Sequence, residues 1–115
     1  MHQQDSPLSI LAEGQNGYIG LCDCCHEFNF VYKNLLLAFR QDELIRFCEW
    51  LIEYRYHRET FLPLPHGRTR VYRSPLSNLF IAFFEEELDE VEHMFSQARL
   101  LIEARCIVGA KSPEL

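Results

Sequence analysis

Asn34-Leu35-Leu36-Leu37-Ala38-Phe39-Arg40-Gln41-Asp42-Glu43-Leu44 and Asn78-Leu79-Phe80-Ile81-Ala82-Phe83-Phe84-Glu85-Glu86-Glu87-Leu88 stand 44 residues apart. They share Asn, Leu, Ala, Phe, Glu and Leu at matching places. In each, a five-residue apolar run of strand length meets an acidic segment that opens a helix, where the dipole favours carboxylates. Downstream, Phe47 falls over Val91 and Leu51 over Phe95, so the helix faces agree as well. The pattern reads as a duplicated strand–strand–helix unit.

Working outward, Phe28-Asn29-Phe30-Val31-Tyr32 alternates and precedes a tight turn at Lys33–Asn34, which predicts a half-buried strand. Tyr18–Cys22 predicts a short strand before it, after the Asn16–Gly17 turn signal. Leu35–Phe39 is expected to be a central strand buried on both faces. Leu44, Cys48, Leu51, Ile52 and Arg55 follow helical spacing, with Ile45 and Phe47 widening the stripe and the helix ending near Tyr56–His57. A Pro- and Gly-containing loop then leads to a charged edge strand over Arg68–Arg73, an apolar strand over Leu79–Phe83, and a helix from Glu85 to Arg105. On the second helix Leu88, Val91, Phe95, Ala98 and Ile102 step by three and four, with Met94 and Leu101 alongside.

The expected architecture is one α+β domain over residues 1–115. Residues 1–16 form a loose lead-in, 17–57 the first ββα unit, 67–106 the second, and 107–115 a flexible tail. The two units are expected to pair into one mainly antiparallel sheet of four to five strands with both helices on one face. The other face would then carry Phe28, Phe30 and Tyr32 or their neighbours, and either a second copy of the chain or residues 1–17 would cover it.

Composition supports a packed core. Of the 115 residues 48% are hydrophobic, which sets the chain apart from disordered sequences. The net charge of −6 argues against broad binding to a phosphate backbone. Residues 40–84 hold seven arginines against five acids, whereas 85–115 hold eight acids against three bases, an asymmetry suited to head-to-tail association. No apolar run is long enough to span a membrane, and no secretory leader is expected.

Cys22-Asp23-Cys24-Cys25-His26 is the chemically loaded segment. Cys22 and Cys25 form a C-x-x-C at a predicted turn between strands, a spacing that lets two thiolates reach one tetrahedral metal, zinc above all, with His26 as a further candidate ligand. A structural zinc site wants four ligands, and the chain has no second C-x-x-C. Three readings stay open: two chains each donating a pair; one chain using Cys22, Cys25 and His26 with a distant ligand such as His66, which the 44-residue shift places over Cys22; or buried turn residues without metal. Cys48 lies on the apolar stripe and reads as core, while Cys106 has no partner at metal spacing. Adjacent Cys24 and Cys25 are poor disulfide partners, so a reducing cytoplasm is the expected compartment. A redox pair is disfavoured because the motif lies between strands, away from a helix N-terminus.

Arg55, Arg58, Arg68, Arg70 and Arg73 are interleaved with Tyr54, Tyr56 and Tyr72, a composition that can hold anions, with Arg68 and Arg70 the candidates for a small anionic ligand. The competing account is a charged, solvated edge strand. Glu90 and His93 have the spacing of di-iron ligands but are expected to face away from the core. There is no G-x-S-x-G, P-loop or G-x-G-x-x-G. The expected function is a binding or interaction module, self-associating or docking on a protein, with nucleic acid and membrane partners not expected. The alternative is a small metal- or thiol-dependent enzyme using Cys22, Cys25 and His26.

This layout resembles a family of small Bacteroidetes proteins carrying a domain of unknown function. The resemblance rests on Cys22 to Cys25, Phe28 to Tyr32, Asn34 to Phe39 with Glu43-Leu44, Arg68 to Arg73, and Asn78 to Phe83 with Glu87-Leu88, and covers about residues 17–105. It implies no activity, and it favours Cys22 and Cys25 over Cys24 for any shared role.

Overall fold

A computed structural model describes residues 8–110 apart from Cys24 and Pro75. Phe28, Phe30 and Tyr32 dictate its centre. Their strand Glu27–Tyr32 pairs antiparallel with Leu35–Phe39 across a two-residue turn in which Lys33 takes a left-handed φ of 54°. The register opposes Phe28 to Phe39, Phe30 to Leu37 and Tyr32 to Leu35, which puts the aromatic side chains and Leu37 on one face. Asn29, Val31, Leu36 and Ala38 fall on the other.

Numbered along the chain, the strands are β1 (Leu8–Glu13), β2 (Gly17–Cys22), β3 (Glu27–Tyr32), β4 (Leu35–Phe39), β5 (Arg70–Arg73) and β6 (Phe80–Phe83). The helices are α1 (Gln41–Glu53) and α2 (Glu85–Ala110). The architecture is α+β, as expected. β1 to β4 form one antiparallel sheet in sequence order, and β5 and β6 form a separate two-stranded sheet. The two units therefore do not share hydrogen bonds across one sheet. Between the start of β4 and β6 lies a cavity of about 360 Å³ lined by Lys33, Leu35, Arg68, Ile81 and Glu87. Three of those side chains, Lys33, Arg68 and Glu87, form an ion-paired group beside it.

Three further expectations give way. Leu8–Glu13, read as lead-in, is a strand; its alternation is broken by a register shift between Ile10 and Ala12, so that Leu11 and Ala12 are both buried. β4 is an edge strand rather than a central one. Its Leu36 is 61% exposed because the helices cover only the opposite face. α1 stops at Glu53, short of the expected end; Ile52, read as part of its apolar stripe, is exposed, while Arg55 just beyond the helix is buried. α2 continues to Ala110, past the expected end, and residues 1–7 and 111–115 lie outside the described residues.

The core joins all these elements. Phe30 meets Phe95 edge-on at a centroid distance of 4.8 Å, and Phe47 lies 5.4 Å from Phe95 and 5.5 Å from Phe39. Such aromatic pairs add about 1 kcal/mol each beyond the area they bury. Positions 44 residues apart behave alike. Leu37 and Ile81, Phe39 and Phe83, Leu44 and Leu88, Phe47 and Val91, and Leu51 and Phe95 are all buried. Phe28, Phe30 and Tyr32 are buried among them, so the exposed face of the sheet is the one carrying their neighbours.

Candidate functional site

The connection between β2 and β3 runs over residues 23–26 and closes on the pair Cys22–Glu27. His26 ends it with a left-handed φ of 59°, and its N–H donates to the Cys22 carbonyl at 2.8 Å. This tight return places Cys25 near Cys22, close enough for Cys22 to act on the Cys25 thiol. Its neighbour Cys22 is the largest cause pushing the Cys25 thiol above its ordinary value, with a backbone hydrogen bond from Glu27 working the other way. Cys25 is exposed and Cys22 partly so. Among the described residues no three His, Cys, Asp or Glu side chains gather as a metal-ligand set, so His26 is not brought in with the thiols. Cys24 lies outside the described residues, as do the side chains of His66 and Cys106. Cys48 is buried in the core, as expected, and burial pushes its thiol up.

Cys22 also belongs to the outer face of the four-stranded sheet. The pairings lay this face out in rows: Glu13, Tyr18, Val31 and Leu36; then Ile10, Gly20, Asn29 and Ala38; then Leu8, Cys22 and Glu27. The face is mainly apolar. Ile10 is 50% exposed, Ala38 is exposed, and no helix or strand among the described residues lies over them. The thiol pair thus stands at the rim of an open apolar surface.

Charged residues are occupied elsewhere. Glu87, 7% exposed, accepts from Arg68 at 2.8 and 3.2 Å, from Lys33, and from the Phe84 N–H at 2.8 Å. Burial alone would raise its carboxyl, but Arg68 and Lys33 outweigh it and hold it at about 2. Arg55, 8% exposed, bridges the end of α1 to Glu85, Asp89 and Glu92 of α2. Arg70 donates to Glu85, to the His57 carbonyl and to Thr60. The two arginines expected to hold an anion therefore have carboxylate partners within the chain.

Glu90 accepts from the Tyr32 hydroxyl at 2.7 Å and from Asn16 at 2.8 and 2.9 Å. This ties the first turn of the sheet to α2 along the wall of an open groove of about 750 Å³, where His93 is exposed. His93 faces away from the core, as expected from the stripe of Leu88, Val91 and Phe95, whereas Glu90 is half-buried against the buried Tyr32. Sequence reading missed the roles of Glu87 and Arg55. Both carried a signal, because Glu87 matches Glu43 in the 44-residue alignment and Arg55 continues the apolar stripe of α1.

A model of the family of unknown function DUF6686 matches residues 4–106. The chain belongs to this family. The DUF6686 match spans all six strands, both thiols and most of α2. Neither the curated proteins nor the solved structures contain a match to this DUF6686 chain.

Proposed function

We propose that this chain is a small protein-interaction module of the reducing cytoplasm that associates with a second copy of itself through the outer face of the β1–β4 sheet. The observation that carries this reading is the contrast between the two faces. Phe28, Phe30, Tyr32 and Leu37 are buried on the inner face, while Ile10, Leu36 and Ala38 stand exposed on the outer one, with no helix or strand of the described residues over them. An apolar surface of this kind gains free energy, about 25 cal/mol per Å², when a matching surface excludes water from it. Two sheets stacked face to face about 10 Å apart do this without rearrangement.

The thiols favour binding over catalysis. The motif lies between two strands, away from a helix N-terminus that would stabilise a nucleophilic thiolate. The agreement of positions 44 apart supports descent from a duplicated strand–helix unit, with the first copy enlarged by β1 and β2.

The test is the mass in solution of the full chain across a concentration series, beside Leu36→Glu. The native chain is expected to pass from monomer to dimer, and the charged variant to stay monomeric with an unchanged circular dichroism spectrum. A native chain that stays monomeric at the highest soluble concentration, with or without metal, overturns the reading.

A further inference from the structure

We propose that Cys22 and Cys25 are half of a zinc site, completed by the same two residues of a second copy, so that one zinc ion staples two chains at the rim of their outer sheet faces. This rests on the self-association argued above and adds its metal and its regulation.

Three observations converge. First, the turn brings the two cysteines together. Zinc–sulfur bonds of about 2.3 Å in a tetrahedron put two sulfurs about 3.8 Å apart, a separation that cysteines three positions apart in a tight turn can adopt. Cys22 and Cys25 stand in a turn whose return is fixed by the left-handed His26 and its 2.8 Å bond to the Cys22 carbonyl, so both lie at one end of the hairpin. Second, the described residues bring only this pair of ligands to the turn. Among the described residues no third His, Cys, Asp or Glu side chain joins the pair, whereas a structural zinc takes four ligands. Cys25 is exposed, so sulfurs from another molecule can reach the same ion.

Third, the apolar face is too small to work alone. Strands of five to six residues at about 3.3 Å per residue, four abreast at about 4.8 Å, give a face of roughly 350 Å². Two such faces bury roughly 700 Å², below the roughly 1,000 Å² that a stable interface needs. Cys22 shares this face with Leu8, one row from Ile10 and Ala38. Packing brings two rims together, and the metal supplies the remaining affinity. A second copy is the occupant because it alone brings both a matching apolar face and the missing pair of thiols. Four thiols lose four protons as the ion binds, leaving a tetrathiolate with a charge of −2. Electron transfer plays no part.

The experiment uses the full chain, reduced and freed of metal, then titrated with zinc, with stoichiometry and mass read by native mass spectrometry and sedimentation. One zinc per two chains is expected, with at least a tenfold tighter dimer than without metal. Cobalt in place of zinc should give thiolate-to-metal charge transfer and a tetrahedral ligand-field spectrum. Cys22→Ser and Cys25→Ser should each lose the cobalt spectrum and the tightening while keeping the fold by circular dichroism; Cys48→Ser should keep both.

One zinc per monomer, or none bound, overturns the staple. A dimer that forms equally well in chelator overturns the staple but leaves the sheet-face reading standing. A zinc-dependent dimer that Leu36→Glu does not weaken does the reverse. A monomer under every condition overturns both.

Discussion

Glu43 and Glu87 perform one task at the start of two helices: Glu43 accepts the N–H of Arg40 at 2.9 Å, and Glu87 accepts that of Phe84 at 2.8 Å. Each carboxylate satisfies a donor that the first turn of its helix leaves without an internal partner. Behind them Leu44 and Leu88 donate to the carbonyls of Arg40 and Phe84 at 2.9 and 3.0 Å. The likeness ends at the side chain. Glu43 is partly exposed, while Glu87 is buried and also holds Lys33 and Arg68. Glu43→Ala should therefore cost about 1 kcal/mol, the worth of a cap. Glu87→Ala should cost about 2–4 kcal/mol, because it also strips two cations of their partner. Urea denaturation of the two variants checks the ranking, and equal losses would refute it.

Phe30 and Val31 are neighbours whose side chains leave β3 on opposite faces. Phe30 is fully buried against Phe95, so Phe30→Ala should cost about 3–5 kcal/mol through lost transfer energy and an unfilled cavity. Val31 lies on the open face between Tyr18 and Leu36. Val31→Thr keeps the β-branch that a strand prefers and should change monomer stability by no more than about 0.5 kcal/mol. Denaturation at low protein concentration, where association does not contribute, reads both.

This difference between adjacent residues marks how far the sequence was legible. The alternation of Phe28 to Tyr32 and the helical spacing of Leu44, Phe47, Leu51, Leu88, Val91 and Phe95 state which side chains share a face, and those faces are buried. Leu35–Phe39 is apolar at every position, so periodicity could not tell an edge strand from a central one. β1 was hidden for the opposite reason. The extra residue near Leu11 breaks its alternation, and a bulge has no signature in a six-residue stretch. The separation of β5 and β6 from the larger sheet is a matter of which strands meet across long sequence distances, which local pattern does not encode. At the candidate site the C-x-x-C spacing announced the paired thiols. Which other ligands approach them is a tertiary fact.

Arg55 fastens the end of α1 to the first turns of α2. Its guanidinium is nearly enclosed, donates to Glu92 at 2.7 Å, and pairs with Glu85 and Asp89. Burial alone would lower its pKa, but hydrogen bonds to Asp89, Glu92 and Glu85 more than offset this, so its charge is held firmly. Arg55→Met fills similar space without the charge and leaves three neighbouring carboxylates to repel one another. A loss of about 2–3 kcal/mol is expected. A double-mutant cycle with Glu92→Gln should show coupling of about 1 kcal/mol or more. Additive losses would mean that Arg55 acts through packing alone.

The carboxyl of Glu87 should impose a distinct acid limb on stability. Folding lowers it from the usual 4.5 to about 2, because the stabilisation by Arg68 and Lys33 exceeds the cost of burial. A group whose pKa falls on folding stabilises the native state while it is ionised in both states. Its contribution is therefore complete above about pH 4.5, shrinks as the unfolded chain begins to take up the proton, and is lost as pH falls through about 2. Glu87→Gln cannot ionise, so subtracting its stability from that of the native chain cancels the other carboxylates and isolates this one. The difference should be flat between pH 5 and 8 and should narrow steadily between 4.5 and 2, where the Glu87 carboxyl takes up its proton. Urea midpoints measured in parallel across that range decide the matter. A gap that persists unchanged at pH 2 would show that the ion-paired group stabilises the fold by shape rather than by charge.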